Sequence, residues 1–144
     1  MLKKIPAIIS PELMKIMMEM GHGDEIVFAD GNFPAAMKAR QLIRCDGHSV
    51  LDLLEAILPF FPLDTYVQAP VGLMEVVEGD CVKIDIWNKY RQIITKHEEK
   101  NVNIEYIERF EFYKRAEKAY AIVATSEKAQ YANIILKKGV VINE

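Results

Sequence analysis

Ser10-Pro11-Glu12-Leu13-Met14-Lys15-Ile16-Met17-Met18-Glu19-Met20-Gly21-His22-Gly23-Asp24-Glu25-Ile26-Val27-Phe28-Ala29-Asp30 passes from a helical period to a continuous apolar run within a single stretch. A serine hydroxyl at the N-cap, proline at the first helical position, and Leu13, Ile16, Met17 and Met20 on one face predict a helix over about 11–20. Gly21 suits the left-handed cap that ends helices, and residues 25–30 read as a short buried strand. The rest of the chain continues this passage from helix to strand.

Ser49 with Asp52 three residues later makes a capping-box-like start, and Val50, Leu53, Leu54, Ile57 and Leu58 continue a helical stripe to Pro59. Residues 62–66 are turn-like, and 71–77 has the β-branched and apolar content of a core strand. Ile86, Tyr90, Ile93 and Ile94 predict a helix over about 85–99. Residues 103–107 then read as a strand and 109–118 as a helix, 126–130 looks helical, and 120–124 and 134–136 are apolar runs of strand length. The alternation predicts a single α/β domain over residues 1–144, with a central sheet covered by helices.

The bulk properties fit that reading. The chain has 144 residues, enough for one core, with 51% hydrophobic and 27% charged residues, close to soluble globular averages. A net charge of −3 with mixed signs offers no basic field for nucleic acid and no lysine cluster for a membrane surface. No apolar run approaches the roughly 20 residues needed to span a bilayer, and the N-terminus lacks a secretory signal, so cytoplasmic residence is expected. Cys45 and Cys81 form no CxxC and read as buried or half-buried thiols.

Chemistry concentrates in three places. His22, between two glycines, has little bulk around it, and an imidazole with an ordinary pKa near 6.5 can give or take a proton at neutral pH; a histidine capping a helix C-terminus is the mundane alternative. Asp30 follows a strand end, where α/β sheets commonly bind ligands, although Asp-Gly is equally turn chemistry. Tyr131 and Asn133 present a phenol and an amide, which suit neutral polyols, although a strand-edge tyrosine and a turn asparagine explain them too. Nucleotide, phosphate, serine-hydrolase and zinc motifs are missing, and His22, His48 and His97 have no zinc-ligand spacing, so neither metal nor cofactor is expected.

Met20-Gly-His-Gly-Asp-Glu-Ile, Asp30, Ile43-Arg-x-Asp-Gly47, Pro62-Leu-Asp-Thr-Tyr66, Arg109-Phe-Glu-Phe-Tyr113 and Tyr131-Ala-Asn-Ile-Ile-Leu-Lys-Lys-Gly139 together resemble the fucose mutarotase / D-ribose pyranase family, over about residues 8–139. The resemblance implies that family's fold and a cofactor-free exchange of sugar anomers, with His22 as proton donor. It also implies that Asp30, Tyr131 and Asn133 contact the sugar, and that Asp64, Met74 and Tyr113 line the pocket as in fucose-type members. Arg109 stands where the ribose branch has histidine, so the resemblance favours L-fucose over ribose; Ala132, in place of a glycine frequent in the fucose branch, is the main departure. It further implies a ring-like homo-oligomer, commonly a decamer. A ribose pyranase and a non-catalytic sugar-binding subunit are the competing readings.

Overall fold

Five helices and six strands alternate along residues 1–143, which the computed structural model describes. They are α1 (Pro11–Glu19), β1 (Glu25–Ala29), α2 (Ala35–Lys38), β2 (Leu42–Cys45), α3 (Val50–Ile57), β3 (Val71–Met74), α4 (Ile86–His97), β4 (Ile104–Ile107), α5 (Arg109–Lys118), β5 (Ala121–Thr125) and β6 (Ile134–Lys137). The strands form one sheet in the order β2-β5-β1-β6-β3-β4. β2, β5 and β1 pair in parallel, as do β3 and β4, while β6 runs antiparallel between β1 and β3.

The period of two along each strand divides the core into two layers. Ile26 and Phe28 of β1 face one cluster with Leu13, Leu53, Leu54, Ile57 and Tyr90 from α1, α3 and α4. Val27 and Ala29 face a smaller cluster with Phe112 and Ala116 of α5. Helices on both faces leave the central strands without a wet side, which is why β1 and β5 read as unbroken apolar runs rather than as alternating ones. Burying one leucine, isoleucine or phenylalanine side chain contributes about 1.5–3 kcal/mol, so this double-sided burial dominates the stability of the sheet.

The helix starts follow the sequence. Ser10 Oγ accepts the Leu13 N–H, Ser49 Oγ accepts the Asp52 N–H, and Glu108 accepts the N–H groups of Phe110 and Glu111.

Several expectations need correction. α1 ends one residue early, with Met20 extended, and the left-handed residue of the following turn is Gly23 (φ 86°) rather than Gly21. Asp24 Oδ2 accepts the Gly21 N–H at 2.7 Å and closes that turn from its other side. β3 stops at Met74 instead of Val77, because the Val77 N–H is taken by the Tyr131 hydroxyl rather than by a strand. Residues 126–130 are not helical: Glu127 turns its carboxylate back onto the N–H groups of Lys128 and Ala129, a local bond that competes with helix formation. The helix expected over about 85–99 spans Ile86–His97, as α4. α2 and β2 leave no pattern in the sequence, since a four-residue helix shows no period and Leu42–Cys45 is a half-exposed edge strand. Cys45 is buried as expected, whereas Cys81 is exposed.

Candidate active site

Because five strands run the same way, their C-terminal ends form one rim of the sheet, and β6 starts at that rim between β1 and β3. The open crevice outside strand C-termini is the usual ligand site of such sheets. Here it is a cleft of about 320 Å³ lined by Asp30, Phe33, Met74, Asp80, Arg109, Tyr113, Tyr131 and Asn133, among others. Six of the eight residues singled out from the sequence thus meet in one place: Asp30 follows β1, Met74 ends β3, Arg109 and Tyr113 open α5, and Tyr131 and Asn133 precede β6.

The floor of the cleft is fixed by hydrogen bonds. Asn133 Oδ1 accepts the Asp30 N–H at 2.8 Å, Asp30 Oδ1 accepts the Asn32 N–H at 2.9 Å, and the Gly31 N–H reaches the Glu127 carbonyl at 2.9 Å. Asp30 is only 7% exposed. Burial raises its carboxyl pKa, and Glu127 adds to that, against the lowering effect of backbone N–H groups at Asn32, Ala132 and Phe33. A buried carboxyl lining a cleft can accept hydrogen bonds from ligand hydroxyls.

The 131–133 segment is held from below. Trp87 Nε1 donates to the Tyr131 carbonyl at 2.8 Å and the Tyr90 hydroxyl to the Ala132 carbonyl at 2.6 Å. Tyr131 itself has φ 54°, a left-handed conformation uncommon for a non-glycine residue. On the opposite wall Arg109 Nε donates to the Tyr113 hydroxyl at 3.2 Å, and its guanidinium lies 5.5 Å from the Tyr113 ring centre. Phe33 meets Tyr113 edge-on at 5.4 Å. Arginine, two phenols, an amide and a carboxylate give the cleft donors and acceptors for hydroxyl groups beside aromatic faces.

His22 and Asp64 stand elsewhere. β1 separates His22 from Asp30, and its five residues place the two ends of the strand about 13 Å apart. At that far rim His22 Nε2 lies 3.0 Å from Asp64 Oδ1, and the Tyr66 ring sits 5.3 Å from the imidazole. Asp64 is 3% exposed while the His22 side chain is 47% exposed. Burial pushes the Asp64 carboxyl up, but the Tyr66 N–H and His22 outweigh it and hold the group below the ordinary aspartate value. Asp64 is positioned by its own N–H bond to the Lys137 carbonyl at 3.0 Å and by the bridge of Leu63 to Lys138. The arrangement is a buried carboxylate in contact with a half-exposed imidazole. Among the described residues no group of three or more His, Cys, Asp or Glu side chains is placed to hold a metal ion.

Comparison with known proteins decides the family. The model of the RbsD / FucU transport protein family matches residues 3–141. The chain belongs to this family. Within it, the L-fucose mutarotase of Glaesserella parasuis serovar 5 (strain SH0165) is 49% identical over 140 residues, covering 97% of this chain and 96% of the relative. The fucose mutarotase of Streptococcus pneumoniae, solved in complex with L-fucose, is 55% identical with a TM-score of 0.93, covering 98% of this chain and 100% of that one. FucU of Bifidobacterium longum is 52% identical with a TM-score of 0.92, covering 96% and 99%. The family fold is therefore the one expected from the motifs.

Two features of the cleft carried no sequence signal. Asp80 lies in the acidic turn Val76-Val77-Glu78-Gly79-Asp80, which has no motif character, and Phe33 precedes the short α2. Tyr66 closes a quoted motif, but its contact with His22 follows only from the turn geometry.

Proposed function

We propose that this protein is an L-fucose mutarotase, interconverting the α and β anomers by acid-base ring opening and reclosure. The observation that carries the reading is the cleft of Asp30, Arg109, Tyr113, Tyr131 and Asn133 in a chain 55% identical to a mutarotase solved with L-fucose. Mutarotation requires a proton delivered to the ring oxygen as the C1–O5 bond breaks, and the anomeric hydroxyl loses one to give the open-chain aldehyde. Rotation about C1–C2 and the reverse transfers close the ring on the other carbonyl face. General acid-base help of this kind contributes about 10²- to 10⁴-fold.

His22 is the proton donor and Asp64 its orienting carboxylate, while Asp30, Met74, Arg109, Tyr113, Tyr131 and Asn133 hold the sugar. One pyranose does not span the length of β1, so the donor at a given cleft is His22 of a second copy, docked with its outward imidazole against the C-terminal rim of the first. Exposed aromatics at both rims support such packing: Tyr66 beside His22 is 74% exposed, and Phe110 beside the cleft is 63% exposed. A head-to-tail contact of this type closes into a ring when its rotation divides a full turn, in keeping with the ring-like decamer expected of the chain. The two unpaired cysteines support residence in the cytoplasm.

Saturation-transfer NMR on L-fucose, galactose and ribose side by side tests the reading. Catalytic amounts of protein are expected to accelerate exchange of α- and β-L-fucose most. Faster pyranose–furanose exchange of ribose would favour the pyranase reading, and tight fucose binding with an unchanged exchange rate would make the chain a binding subunit.

A further inference from the structure

Resting on the sugar-site reading above, we propose that Asp80 is a positioning residue for the sugar, fixing the Tyr131 hydroxyl as a hydrogen-bond acceptor and latching residues 75–80 onto the cleft. A phenol oxygen has one proton and two lone pairs. The Tyr131 proton goes to Asp80 Oδ2 at 2.6 Å, and one lone pair accepts the Val77 N–H at 3.3 Å. Only an acceptor site remains for a ligand. Tyr131 therefore accepts from a sugar hydroxyl and does not donate to one.

The same two bonds decide where the segment after β3 lies. Once Glu75 has made its last bond to the Ile107 carbonyl, the chain leaves the sheet, and Val77 and Asp80 both close onto one phenol through a turn at Gly79 (φ 86°). Val77 and Asp80 thereby become walls of the cleft. Tyr131 is rigid enough to serve as the post, because its left-handed backbone is locked by the Trp87 bond to its carbonyl and the Tyr90 bond to the next. The Asp80 backbone N–H closes the turn onto the Val77 carbonyl at 3.0 Å, while its carboxylate makes no other hydrogen bond among the described residues and carries a charge opposite to that of Arg109 in the same cleft.

The test compares Asp80→Ala, Asp80→Asn, Tyr131→Phe and the double variant Asp80→Ala/Tyr131→Phe. Asp80→Ala should raise KM for L-fucose about tenfold, the effect of one lost ligand hydrogen bond, with kcat within about twofold of wild type. Asp80→Asn, whose amide oxygen still accepts the phenol proton, should recover most of that loss. In the Tyr131→Phe background, Asp80→Ala should change nothing further. Hydrogen exchange at the Val77 amide reads the latch without substrate: it should quicken in Asp80→Ala and in Tyr131→Phe to the same extent. An unchanged KM in Asp80→Ala, or an equal loss with and without the Tyr131 hydroxyl, overturns the positioning role; an unaltered Val77 amide overturns the latch. A wild-type protein that neither binds nor interconverts L-fucose overturns the substrate reading and the positioning role with it, while Val77 exchange still decides the latch.

Discussion

Asp30 and Asp64 are both buried carboxylates, and their surroundings push them in opposite directions. Asp30 has a raised pKa in the folded chain, so its ionised form is the disfavoured one; the penalty grows as pH rises from the ordinary aspartate value of about 4 through the raised folded one and vanishes below the ordinary value. Asp30→Asn keeps an acceptor for the Asn32 N–H, and it is expected to raise stability by about 1 kcal/mol at pH 7, a Tm gain of a few degrees, while losing most of the activity. The stability gain should shrink toward pH 4. Asp64 has a lowered pKa, so its contribution is present above the ordinary value and is lost as pH falls through the lower folded one. Asp64→Asn is expected to cost about 1–3 kcal/mol at neutral pH, with urea midpoints converging on wild type in acid. Denaturant titrations of both variants between pH 3 and 7 check the two opposite trends. Residue identities of this kind were legible from the motifs. The pKa directions were not, because they depend on which backbone N–H groups fold back onto each carboxylate.

The long elements were legible for a simple reason: α1, α3, β1 and β5 each bury a full stripe or a full run, and burial is what the sequence pattern records. Elements held by side chain to backbone bonds left no such record. Val77 leaves β3 for a phenol, Glu127 caps its own turn, and β2 lies half exposed at the sheet edge. The connection that places Asp64 is held by backbone contacts with the end of β6, which likewise leave no pattern in the sequence. Gly139 passes so close to the Leu63 backbone that an added Cβ would lie 2.5 Å from its carbonyl oxygen. Gly139→Ala must push the end of β6 away from Leu63 and Asp64, and a loss of about 2 kcal/mol or more is expected, with a weakened His22–Asp64 contact. Thermal unfolding reads the first effect, and the NMR signals of the His22 ring read the second. A Tm equal to that of wild type would show that the contact gives way without strain.

At the scale of the whole molecule, the two halves of the proposed machinery lie at opposite rims of one sheet, and no rearrangement of loops brings His22 to Asp30 across β1. The sequence listed both sets of residues in one chain but could not reveal that the chain holds them apart, since rim assignment depends on strand direction and on the place of β6 in the sheet. Shared sites predict complementation. His22→Ala and Asp30→Asn proteins, each nearly inactive alone, should regain about a quarter of wild-type activity when refolded together into mixed assemblies, because about one contact in four then pairs an intact imidazole with an intact cleft. Activity that stays at the level of the separate variants would mean that each chain works by itself.

The central claim is proton transfer by His22 to a bound L-fucose. Its most direct measurement is the α/β exchange rate of L-fucose by saturation-transfer NMR with wild-type and His22→Ala proteins at equal concentration, both first verified as folded by circular dichroism. Acceleration by wild type and its reduction by about 10²-fold or more in His22→Ala is the predicted result. Equal acceleration by the two proteins would contradict the account.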